Sequence, residues 1–289
     1  MAHAQHDKYY VPHDSHWPIV GSVGLLVTAL GVSNWLNGGS ISKFVFFAGL
    51  AIMAYMIIGW FRNVIQESEA GYYNEKVGGS FRWGMIWFIF SEVMFFGAFF
   101  GALFYARQYS IPWLSGEGNN FFTNILLWTG FEGSWPTAGP AEIGGEFEPM
   151  EALGLPMWNT LILLTSGMTL TVAHHALLEG RRTMVNLGLA ATVALGFLFV
   201  CLQAYEYVHA YTEMNLTMGS GIYGSTFYML TGFHGVHVTV GAIMLTVILG
   251  RTLSGHFTTD NHFGFEAVAW YWHFVDVVWL GLYLFVYWL

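Results

Sequence analysis

Charge is what this sequence has least of. Lys, Arg, Asp and Glu together make up 9% of it, against about 25% in a soluble domain. A water-facing surface cannot be built from that supply, so a soluble fold is excluded. Cysteine is nearly absent: Cys201 stands alone in an apolar run, which excludes a disulfide framework. Nine basic residues against eighteen acidic ones exclude the basic face that nucleic acid requires. The first sixteen residues lack the apolar stretch of a signal peptide and are polar and histidine-rich. The string from Gly219 to Gly224 spells G-x-G-x-x-G, but it follows no strand and opens an apolar helix, which excludes a nucleotide fingerprint. No nucleophile–base pair, phosphate loop or C-x-x-C motif appears.

What is abundant is apolar side chains, 55% of the residues, with 18% aromatic. They fall into seven runs long enough, at about 1.5 Å per residue, to cross a hydrocarbon layer about 30 Å thick. The expected spans are Trp17–Leu36, Lys43–Ile65, Phe81–Tyr105, Pro156–Leu178, Val185–Tyr207, Tyr223–Leu249 and Phe265–Leu289. The reading is an all-α membrane protein with seven transmembrane helices. The turn Asn37–Ser40 is tight enough to set the first two spans antiparallel. Three regions are expected: a polar arm at 1–16, a helix pair at 17–65, and a five-helix bundle at 66–289 interrupted by a long connection at 106–155. Within that connection, Asn119–Trp128 is an amphipathic piece suited to the membrane surface.

Lys and Arg give the orientation. With the N-terminus inside, the inner segments hold Lys8, Arg62, Lys76, Arg82, Arg181, Arg182 and Arg251, and the outer ones only Lys43 and Arg107. The positive-inside bias therefore predicts N-terminus in and C-terminus out. The outer segments are net acidic and would steer a basic partner.

Few ionisable groups lie at bilayer depth. Glu92 sits near the centre of the third span, with Phe88, Phe95, Phe96 and Phe99 one or two helical turns away. Such a carboxylate is expensive, about 2.5–3.5 kcal/mol on insertion scales, and is a functional-site candidate by default. The competing reading is a protonated glutamate hydrogen-bonded to a neighbouring helix as packing glue. His237 in the sixth span and Asp276 in the seventh lie at matching depths, so they are expected to pair. That pairing satisfies both groups without a metal. Gln203, Glu206 and His209 are expected to form an interfacial cluster, and Gly97 and Gly101 to admit a close helix approach. In the arm, His3, His6, His13 and His16 alternate with Asp7 and Asp14. Histidine titrates near neutral pH, so the arm reads as a proton-collecting surface or as a docking segment.

Five strings carry a resemblance. They are WFRNVIQES (60–68), FSEVMFF (90–96), AHHALLEG (173–180), YGSTFYMLTGFHGVHV (223–238) and HFGFEAVAWYWHFVDVVWL (262–280). Together they closely resemble subunit III of haem–copper cytochrome c oxidase, and the likeness runs from Trp17 to Trp288. The resemblance implies an accessory core subunit with no haem or copper of its own, those being held by partner subunits I and II. It implies that the helix pair and the five-helix bundle are separated by a lipid-filled cleft. It implies support of proton uptake and of the durability of the catalytic subunit, with cytochrome c an indirect partner. The family's buried glutamate falls on Glu92, and its phospholipid contacts fall on Arg62, Glu67, Arg251 and His256. Trp60 keeps its place, but Phe61 stands where a second tryptophan is expected, which weakens one lipid contact. GSWPTAGP (133–140) rejoins the family pattern, so the extra length of the connection lies before it and points to a bacterial cytoplasmic membrane rather than a mitochondrial inner membrane. Two rival readings are a stand-alone proton-conducting or transport protein using Glu92 and the His237–Asp276 pair, and a quinol oxidase subunit. The transporter is disfavoured because no internal repeat or broken helix is visible.

Overall fold

The computed structural model describes residues 9–12, 14–39 and 41–289. His3, His6, Asp7 and His13 of the arm, and Ser40 of the first turn, lie outside the described residues. Among the described residues the chain is helical, without strands: α1 Trp17–Leu36, α2 Ser42–Glu69, α3 Glu75–Tyr105, α4 Ile111–Leu114, α5 Phe121–Leu127, α6 Leu155–Leu178, α7 Arg182–Thr212, α8 Gly221–Leu253 and α9 Phe263–Leu282. Seven helical segments there are long and apolar enough to span a membrane, in the order the sequence predicts.

The helices overrun the apolar runs. α2 continues to Glu69 and α3 begins at Glu75, so most of the polar segment Gln66–Ser80 is helical rather than a linker. What stops α2 is Gly71 at φ +73°. There the Gly71 N–H donates to the Ser68 carbonyl and the Tyr72 N–H to the Glu67 carbonyl, at 3.1 and 3.2 Å. This is a Schellman closure, which needs the left-handed conformation that glycine adopts without strain. α8 ends in the same way at Gly255, where the His256 N–H donates to the Arg251 carbonyl at 3.1 Å.

The third span is the longest, running unbroken as Glu75–Leu114. The sequence reading ended it at Tyr105. Pro112, which cannot donate to the preceding turn and crowds its carbonyls, does not stop the helix. The backbone widens into a π-turn over Ala106–Ser110 and then continues as α4.

Packing separates two units, residues 1–83 and 84–289. The sequence reading set its boundary at 65/66. Phe81 in the first turns of α3 packs edge-on against Tyr73, ring centroids 5.0 Å apart, and Tyr73 also hydrogen-bonds Glu67 of α2.

In the first unit α1 and α2 pack with backbones in contact. A methyl group at Gly31 would collide with the backbone of Phe46, and one at Gly49 with the backbone of Thr28. Small residues bring the helices together because lipid supplies no hydrophobic drive for association. The described arm lies on the same unit: Tyr10 stacks on Tyr72 with centroids 5.4 Å apart.

In the second unit α6 to α9 bury a core containing Phe199, Phe227, Trp272 and Trp279. Some of the polar groups inside it are matched across helices, which offsets the cost of burying them. The Trp279 indole N–H donates to Thr160 Oγ1 at 2.9 Å, and the Tyr207 hydroxyl and Thr231 Oγ1 lie 2.7 Å apart. The connection before α6 is stapled to the α7–α8 turn. Asn215 donates its amide to the carbonyls of Gly144 and Glu146, and Phe147 stacks on Tyr223 at 5.3 Å.

A methyl group added at Gly97 or Gly101 would meet nothing within 4 Å. Among the described residues of the second unit, no helix makes the close approach expected at this pair.

Candidate functional site

The middle of α3 faces the middle of α8, and there the two strongest polar groups meet. Glu92 Oε2 lies 2.9 Å from His237 Nε2. The other ring nitrogen, Nδ1, lies 2.7 Å from the Phe233 carbonyl one turn earlier on α8. A carbonyl can only accept, so Nδ1 carries a hydrogen. Nε2 then either accepts from a protonated Glu92 or donates to an ionised one. In both arrangements one proton lies between the two side chains and the pair has no net charge.

Aromatic rings wall the pair in. Phe96 meets the His237 ring edge-on at 5.0 Å, and Phe95 lies 6.0 Å away. Tyr271 of α9 stacks on the opposite side at 6.4 Å, and its hydroxyl donates to the His237 carbonyl at 3.3 Å. Phe88 covers Tyr271 in turn at 6.2 Å. The side chains of His237 and Glu92 keep 15% and 21% exposure, so the pair is partly open at the protein surface rather than sealed within it.

This corrects the expected His237–Asp276 pair. Asp276 instead lies beside His273 of its own helix, Oδ2 to Nδ1 3.5 Å, and His273 Nε2 lies 3.3 Å from Thr171 Oγ1. Matching depth was satisfied by both acids, and depth says nothing about which way round a helix each one faces. The signal that could have decided was the i, i+3 spacing of His273 and Asp276, which puts them on one face. Gly167 of α6 makes room, since a methyl group there would collide with the Asp276 carboxylate.

The expected cluster of Gln203, Glu206 and His209 is divided. The Tyr287 hydroxyl donates to Glu206 Oε1 at 2.7 Å in the buried interior. His209 pairs with Glu213 at 3.1 Å, on the exposed side of α7. Sequence reasoning had no access to Tyr287, which lies eighty-odd positions away on the last turns. His234 is fully buried and has Nε2 3.2 Å from the Val275 carbonyl.

The four residues matched to phospholipid contacts sit in separate units. Arg62 is exposed on α2, and Glu67 of the same helix accepts from the Tyr73 hydroxyl at 2.6 Å. Burial, with Glu67 next to it, pushes the Tyr73 phenol well above its ordinary range. In the second unit Arg251 holds its guanidinium 4.4 Å over the Phe257 ring, and His256 follows the helix end. Of the arm, Asp14 and His16 are exposed, and the His16 ring lies 4.2 Å from that of Trp17. Among the described residues no group of three His, Cys, Asp or Glu side chains converges as a metal site.

Comparison with known proteins covers the whole length. The family described as Cytochrome c oxidase subunit III matches residues 6–115 and 118–289. Cytochrome c oxidase subunit 3 of Pongo abelii is 42% identical over all of this chain and 99% of its own. The proteins of that name from Coturnix japonica and Danio rerio are each 41% identical, with the same coverage.

Proposed function

The chain belongs to the cytochrome c oxidase subunit III family, and from that membership we propose that it is a non-catalytic core subunit of a respiratory oxidase that moves electrons from cytochrome c to oxygen. The whole-length match carries this reading. Haem and copper belong, in this reading, to subunits I and II, and cytochrome c docks on those neighbours. This chain contributes packed helices, support for proton uptake and for durability of the oxygen-reducing subunit, and bound phospholipid. The distribution of Lys and Arg supports an inside N-terminus, and the extended connection supports a bacterial cytoplasmic membrane.

A tag on this chain is expected to bring down a haem-bearing complex in mild detergent, with an oxidase absorption spectrum. The complex stripped of this chain should keep that spectrum and its initial rate of cytochrome c oxidation, then lose activity faster during continued turnover. A chain that purifies without haem proteins, or a stripped complex as durable as the intact one, contradicts the proposal.

The phospholipid role rests on Arg62 and Arg251, which lie at the helix ends assigned to the inner face. A guanidinium holds a phosphate by paired charge-assisted hydrogen bonds, and a basic residue near an anionic surface is worth about 1 kcal/mol. Arg62→Gln with Arg251→Gln is expected to lower the phospholipid retained per purified complex, measured by phosphorus and haem content. Unchanged retention would leave both residues without this role.

A further inference from the structure

The short helix α5 is inside out. A helix lying on a water-facing surface turns its apolar stripe inward and its polar side outward. Here Phe121, Phe122, Ile125 and Leu126 form one stripe and are 59, 69, 45 and 72% exposed. The polar side is turned to the protein. Asn124 gives its amide to the carbonyls of Leu114, Trp128 and Phe131 at 3.3, 3.2 and 3.1 Å. Thr123 Oγ1 accepts from the Trp113 indole at 3.3 Å. Hydrogen bonds at Thr123 and Asn124 therefore fix the inversion.

The Trp113–Thr123 bond joins α5 to the exposed aromatic end of the third span. Tyr105, Tyr109 and Trp113 follow one another at turn spacing along the end of the third span and are 58, 56 and 53% exposed. Aromatic rings of this kind mark the level of the headgroups. The Trp113–Thr123 bond ties α5 to that level. From Gly118 to Phe131 the chain carries no charge, and the nearest charged residues are Glu117 and Glu132 at its two ends. A polar or charged partner finds nothing to recognise on such a stripe, whereas the boundary between headgroups and acyl chains accepts it.

We propose that α5 is a membrane-surface anchor, with Phe121, Phe122, Ile125 and Leu126 immersed in the lipid leaflet at the end of the third span. It holds the first part of the 106–155 connection against the bilayer, with Glu117 and Glu132 left in water on either side. The proposal is argued from the membrane-spanning helices; its test uses the haem-bearing complex of the proposed function, and a chain that carries no haem would contradict that function and not the anchor.

The test is photochemical, on the assembled complex in membrane vesicles. p-Benzoylphenylalanine is placed at position 122, and separately at 126 and 119, and peptides are weighed after illumination. Haem content of the purified complex reports assembly of each variant. Phospholipid adducts at 122 and 126, several-fold above those at 119, are the expected result. Adducts with a peptide of another subunit would mean that protein covers the stripe, and the anchor would be rejected. Adduct yields at 122 and 126 no higher than at 119 would place the stripe in water and reject it equally.

Discussion

His237→Leu is expected to loosen α3 from α8 and to lower the temperature at which the bundle unfolds in detergent. The variant removes the partner of Glu92 without removing Glu92, so a carboxyl group is left at membrane depth without its hydrogen-bond partner. A polar group orphaned away from water costs about 1–3 kcal/mol, more than the bond itself contributed. Glu92→Gln should be milder, because the new amide still donates to Nε2. The double variant Glu92→Leu with His237→Leu should recover much of the loss, since no polar group then remains to be orphaned. Unfolding temperatures of Glu92→Leu, His237→Leu and the double variant complete the cycle. Losses that simply add would show that the two side chains do not act on each other.

Trp272→Ala is expected to have the larger effect. Trp272 is wholly buried and fits between two glycines, where methyl groups would come 2.7 Å from the ring on Gly196 of α7 and 2.8 Å on Gly241 of α8. Its indole N–H donates to Ser166 Oγ of α6, and that hydroxyl donates to the Thr192 carbonyl of α7, both at 3.1 Å. One side chain thus joins all four helices of the core. In soluble cores Trp→Ala costs about 3–5 kcal/mol. In a membrane the transfer contribution shrinks, because lipid is as apolar as the core. The loss of contacts around the cavity remains, so the expected cost lies in the lower part of that range. Trp272→Phe keeps most of the volume and orphans only the Ser166 acceptor, for about 1 kcal/mol. Unfolding of the purified complex, followed by release of this subunit, measures both. A Trp272→Ala variant as stable as the parent would mean that the four helices are held by other contacts.

The sequence read the bilayer better than it read the helices. Hydropathy reports where lipid begins and ends, so the order and number of spans came through. It does not report where a helix stops. Gln66 to Glu69 are good helix formers that lie beyond the apolar run, and only the left-handed turn at Gly71 ends α2. The continuation of the third span past Tyr105 had one local signal, Pro112, and it reads equally well as a helix stop. Glu92 was legible because a lone acid in an apolar run is conspicuous. Its partner was not, because choosing between Glu92 and Asp276 for His237 needs the rotation of three helices. Phe95, Phe96 and Tyr271 were visible as aromatic runs, but their convergence on one imidazole is a property of the packed bundle.

The single proton between Glu92 and His237 has an electrical consequence. Passing it from oxygen to nitrogen turns a neutral pair into a dipole without altering the charge of the protein. A membrane voltage of 100 mV acts with about 2.3 kcal/mol on a charge that crosses the whole bilayer. The displacement here is confined to a bond 2.9 Å long, running from one helix to another. The voltage therefore does almost no work on it, and the position of the proton answers to the polarity of the surrounding lipid and protein instead of to the energised state of the membrane.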